Sequence, residues 1–88
     1  MESKQIIQGH AIVVAMQGFV YVGAVSVDDK WCVISDAQNI RVWGTTAGLG
    51  ELAQNGPTEK TKLDLVGTAR IPMHMVVTII DVEESKWS

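Results

Sequence analysis

The sequence predicts an all-β fold: a small SH3-like or Sm-like barrel of five to six antiparallel strands with one short helix inserted. Three observations carry this expectation. Short apolar runs rich in Val and Ile are separated by Gly-, Asp- or Asn-containing turns at roughly 8–12-residue spacing, as in sandwiches and barrels. Only one stretch, Arg41–Pro57, has helical character. The 88 residues, 47% of them hydrophobic, suit one domain over 1–88, and a chain this short buries only about 60–65% of its unfolded surface.

The elements follow in order. Residues 1–9 read as an N-terminal arm or edge strand. His10–Met16 is nearly continuous in apolar residues, the pattern of a strand buried on both faces. Gln17-Gly18 forms a two-residue turn with glycine where positive φ is needed. Phe19–Val27 returns with Phe19, Tyr21, Val25 and Val27 on one face, and Gly23 marks a bend or bulge. Asp28-Asp29-Lys30 is a charged turn. Trp31–Ile34 is a third strand, Ser35–Gln38 a bend, and Asn39–Trp43 a fourth strand that alternates Ile40 and Val42 against Arg41 and Trp43. Gly44 breaks the strand. Thr46 caps a helix over Ala47–Gln54, and Asn55-Gly56-Pro57 stops it. Thr58–Asp64 is a polar loop, Leu65–Ile71 a strand ended by Pro72, and Val76–Val82 the last strand. Residues 83–88 form an acidic tail carrying Trp87. In the barrel reading, Phe19–Ile34 is the bent central hairpin and Ile71–His74 the kink before the closing strand.

Composition excludes several classes. Disorder requires lower hydrophobicity and higher charge. A net charge of −3 argues against a general nucleic-acid binder, which uses a basic field. The single Cys32 allows no intrachain disulfide and suits a reducing compartment. The N-terminus lacks a signal-peptide pattern, and the longest apolar run is too short to span a bilayer. These readings predict a cytoplasmic protein with no membrane partner. The apolar content exceeds what one small core hides, which predicts a homo-oligomer.

Arg41–Pro57 is the sharpest functional candidate. Strand, Gly-Thr-Thr and helix start form a recurrent way of holding an anion. Arg41 and Trp43, two residues apart, can present a guanidinium and an indole together, and Gly44, Thr45 and Thr46 offer backbone approach and hydroxyls. Lys62 or Arg70 is expected to complete the site, from the same chain or a neighbour. The predicted ligand is small, phosphorylated and nucleotide-like. The same residues also suit a purely structural role, with Thr46 capping the helix and Trp43 filling a gap in the core.

Other chemistry is thin. His10, His74 and Cys32 stand far apart and form no metal set, and Cys32 has no activating neighbour. Asp28 and Asp29 read as a solvated turn, and His74 with Arg70 as extra positive charge. Trp87 is an anchor for a second subunit or for its own barrel. With no nucleophile–base pair, no metal ligands and no cofactor fingerprint, the chain reads as a non-enzyme without a cofactor.

Ile40–Gly56, with its Ile-Arg-Val-Trp-Gly, Gly-Leu-Gly-Glu-Leu-Ala and Asn-Gly elements, resembles a family of short phage and prophage proteins. In that family an Arg-x-Trp strand runs into a Leu-Glu/Ser-x-Ala helix, followed by an apolar final strand and a C-terminal Trp. The resemblance covers about the last fifty residues. The chain departs from it after the last strand, where Asp81-Val82-Glu83 replaces a Cys. The resemblance implies phage origin, hence the host cytoplasm, and no assigned chemistry. Some small oligomeric phage proteins act as sponges for the nucleotide signals of host defence, and the expectation extends that role to this chain. Two alternatives stand beside it: an Sm-like RNA-binding ring, which the acidity disfavours, and a protein–protein module that inhibits or tethers a host or phage protein.

Overall fold

A computed structural model describes residues 9–87. Five strands form one antiparallel sheet: β1 (His10–Ala15), β2 (Val20–Val27), β3 (Trp31–Val42), β4 (Lys62–Pro72) and β5 (Val76–Asp81). Their order is β4-β3-β2-β1-β5. A single α-helix, α1 (Leu49–Asn55), is inserted between β3 and β4. The fold is mainly β, with the expected short helix. The arm expected over 1–9 lies outside the described residues except for Gly9, whose carbonyl accepts from the Val25 N–H at 2.9 Å.

The apolar run of β1 behaves as expected for a strand covered on both sides. Its odd residues, Ala11, Val13 and Ala15, belong to one buried cluster, with Val25, Val27, Cys32, Ile34, Ala37 and Ile71. Its even residue Ile12 belongs to a second cluster, with Val20, Val22, Ile40, Leu52 and Ala53. Period-two alternation therefore feeds two cores, one on each face of the sheet. The first is the barrel interior. Ile71 and Ala69 of one edge strand and Val76 and Ile79 of the other all border this one cluster, although three strands separate them along the sheet. The sheet must curl for both edges to reach the same core. The second core lies on the outer face beneath α1.

The curl is built by irregular register. β2 and β3 pair Val22 with Gln38 and Ala24 with Ser35, so β3 carries one extra residue at the bulge. Asp36 takes that place with φ +50°, and a bulge bends and twists the pair. Gly23 stands opposite, as the sequence suggested. The two strands expected over Trp31–Ile34 and Asn39–Trp43 are therefore one twelve-residue strand. β4 likewise begins at Lys62, inside the segment expected to be a polar loop. Pairing with β3 overrides the local polarity there, since an edge strand tolerates charge.

The first turn is one residue longer than expected: Ala15 N–H donates to the Phe19 carbonyl, so Met16–Gly18 form a three-residue loop with one helical turn, in which Gln17 and Gly18 take the positive φ, +69° and +81°. At the next turn, the Asp28 carboxylate accepts N–H groups from Lys30 and Trp31, each at 2.8 Å. Pro72 ends β4, and one helical turn over Met73–Met75 forms the expected kink before β5. The tail folds back as another such turn, Glu84–Lys86. Trp87 packs against the outer core of its own chain, and its indole N–H donates to the Ala53 carbonyl at 3.2 Å. Among the described residues, no helix is long and apolar enough to cross a membrane.

Candidate functional site

The Arg41–Pro57 segment leaves β3 at the end of the sheet where β4 begins. The helix starts later than the sequence suggested, at Leu49 after an N-cap at Gly48. Thr46 is therefore not the cap residue. Its hydroxyl donates to Glu51 Oε1 at 3.2 Å, and the Ala47 N–H donates to the same oxygen at 2.8 Å. The carboxylate that complements the helix start is thus one of the chain's own. The Thr45 hydroxyl donates to the Gly48 carbonyl at 2.9 Å. Both threonines serve to fold the loop.

Gly44 provides close approach, and the group that approaches is again the chain itself. It has φ +71°, and a Cβ there would lie 2.5 Å from the Thr61 nitrogen. The 58–61 loop is fastened to it. Thr58 Oγ1 donates to the Gly44 carbonyl at 2.8 Å, and Thr61 Oγ1 donates to the Trp43 carbonyl at 2.7 Å.

Arg41 sits on β3 opposite the start of β4. Its Nε donates to Asp64 Oδ2 at 2.8 Å, and its Nη2 to Oδ1 at 3.4 Å. The hydrogen bond to Asp64, and then that carboxylate's charge, push the guanidinium's pKa above its ordinary value. The pair is open to water, with 60% of the Arg41 side chain exposed, so solvent screens it. Trp43 is 42% exposed, and its ring edge lies beside Gly48. Lys62 pairs in register with Val42, and its side chain makes no hydrogen bond or ion pair with the described residues. One end of the sheet thus gathers Arg41, Trp43, Gly44, Thr45, Thr46 and Lys62.

Arg70 is not part of that gathering within one chain. It lies opposite Val33, near the other end of β4, roughly 25 Å from Lys62 at about 3.3 Å per strand residue. There it lines, with His74, a largely apolar cleft of about 370 Å³ whose other lining residues include Phe19, Tyr21, Met16 and Met75. The sequence marked Arg70 and His74 as extra positive charge but did not place the aromatics beside them. Only the packing of the β1–β2 turn against the β4–β5 kink brings these two stretches together.

The remaining candidates take structural places. Cys32 is fully buried in the barrel interior, and burial pushes its thiol pKa up, away from the reactive thiolate. Asp28 orders the turn into β3. No group of three or more His, Cys, Asp or Glu able to hold a metal ion occurs among the described residues. A scan against protein-family models and searches of curated proteins and solved structures returned no match.

Proposed function

We propose that this chain is a non-enzymatic binding protein that works as a homo-oligomer, joined through the two open edges of its sheet. One observation carries the reading. Among the described residues β4 pairs only with β3, and β5 only with β1, so two rows of backbone donors and acceptors face outward. They are also flanked by apolar side chains: Leu65 of β4 is 87% exposed and Val77 of β5 62%. The ends of β4 carry the usual guards of an edge, Lys62, Asp64, Arg70 and Pro72, but its middle, at Leu65 and Val66, is apolar and exposed. Pairing β4 of one copy with β5 of the next covers both edges at once when the assembly closes. Pairing like edges would leave one open.

The ligand in this reading is the small phosphorylated, nucleotide-like molecule expected from the sequence, held at the Trp43 end of the sheet. Trp43 offers a half-exposed indole for stacking. Lys62 and the solvent-exposed Arg41 offer charge to a phosphate. An exposed ion pair is worth little, so a phosphate can take the place of Asp64 beside Arg41. Because Lys62 belongs to the edge strand β4, the neighbouring copy would border this site.

The assembly is tested by multi-angle light scattering on the purified chain. Wild type is expected at a multiple of the 9.6 kDa chain mass. The Leu65→Lys/Val77→Lys variant is expected at the mass of one chain, with an unchanged far-ultraviolet circular dichroism spectrum. A wild type that runs as a single chain overturns the assembly. The ligand is tested by titrating a panel of linear and cyclic nucleotides while following Trp fluorescence. At least one member is expected to quench wild type and not Trp43→Leu. Absence of any saturable response overturns the ligand and leaves the assembly standing.

A further inference from the structure

We infer that the cleft between the β1–β2 turn and the β4–β5 kink is a separate binding site for a small organic anion: a flat or branched apolar body carrying one carboxylate, sulfonate or phosphate. Its volume, about 370 Å³, lies in the lower part of the range for small-molecule sites, about 300–1,000 Å³. Its make-up is also that of a ligand site, a mainly apolar lining with a few polar groups, Gln17, Arg70 and His74. The buried Ala15 and Ile71 belong to both the cleft lining and the barrel interior, so they tie the cleft to the rigid core. Tyr21 and Met75 are half-buried against the same core. Phe19 is 52% exposed at the wall, where an occupant would remove apolar surface from water at about 25 cal/mol per Å².

Charge decides what kind of occupant fits. The lining contains Arg70 and His74 and no Asp or Glu. Neither side chain makes a hydrogen bond or ion pair with the described residues. In a chain whose net charge is −3, the Arg70 guanidinium gives this lining a local charge opposite in sign to the whole. A guanidinium in the lining of an apolar cleft suits a planar carboxylate, sulfonate or phosphate by two parallel hydrogen bonds. His74 retains an N–H donor whether neutral or protonated. A neutral apolar molecule would leave Arg70 unused, and a cation would be repelled. Met16 and Met75, unbranched and polarisable, let the wall adapt to the shape of the body.

The test uses the full chain labelled with nitrogen-15, titrated with 2-naphthoate and, separately, with neutral 2-naphthalenemethanol, following backbone amide shifts. Naphthoate is expected to move the amides of Gln17, Phe19, Tyr21, Arg70 and His74, and to bind about tenfold tighter than the neutral probe, as one charge-assisted contact provides. Arg70→Gln is expected to bring the two probes to equal affinity while leaving the binding of the neutral one unchanged. That separates loss of charge recognition from damage to the cleft. Equal affinity in wild type, no saturable binding, or shifts centred on Trp43 would each overturn the inference.

Discussion

Gly44→Ala is expected to destabilise the fold by about 3 kcal/mol, combining roughly 1–3 kcal/mol for a non-glycine residue held at positive φ with a similar amount for overpacking. The residue has φ +71°, and the added Cβ would stand 2.5 Å from the Thr61 nitrogen and 2.6 Å from the Lys60 carbonyl carbon. Both neighbours are backbone, so no side-chain rotation relieves the contact. The 58–61 loop must move instead, which breaks the hydrogen bonds from Thr58 to the Gly44 carbonyl and from Thr61 to the Trp43 carbonyl. For 88 residues the whole stability is about 4–13 kcal/mol. The variant is therefore expected to lose a large share of it and to melt about 15 °C lower. Urea denaturation followed by circular dichroism measures the effect. A change below about 0.5 kcal/mol, the level of a neutral surface substitution, would mean that the 58–61 loop is not held against Gly44.

Much of the fold was legible because local pattern and global role agree. The unbroken apolar run of β1 announced a strand covered on both faces, and Ala11, Ile12 and Val13 are all fully buried. Gln17-Gly18, Gly23 and Pro72 each mark a place where the chain turns or bends. What escaped the sequence depends on partners distant along the chain. Ser35 and Asp36 look like a turn, yet β2 and β4 pair on either side of them and convert the turn into a bulge within one long strand. Lys62 and Asp64 look like loop residues, yet an edge strand accommodates them. The candidate site divides in the same way. Arg41, Trp43 and Lys62 come together because the segment between them returns over a short helix. The pairing of Arg41 with Asp64 spans 23 residues, and no spacing rule reveals it. The cleft at Arg70 joins two stretches about fifty residues apart and becomes visible only once the sheet has curled.

The two-core arrangement leads to a second large effect, expected from Leu52→Ala. Leu52 is fully buried, and with Leu49 and Ala53 it makes the apolar face of α1, the i, i+3, i+4 pattern of a packed helix. Truncating a buried leucine costs about 2–5 kcal/mol. A seven-residue helix has almost no stability of its own, so little remains to hold α1 once that contact is lost. The tail depends on the same helix. The Glu83 N–H and the Trp87 indole N–H both donate to the Ala53 carbonyl, at 2.9 and 3.2 Å. Loosening α1 therefore removes the acceptor that anchors residues 83–87. The barrel interior on the opposite face shares none of these buried residues. Amide hydrogen exchange on Leu52→Ala is accordingly expected to accelerate first and most in α1 and at Trp87, while the β1–β2 amides keep the protection set by global unfolding. Equal acceleration at every site would show instead that the inner and outer cores unfold as one cooperative unit. In that case the Trp43 surface, which hangs between β3 and α1, could not rearrange around a ligand without the whole barrel opening.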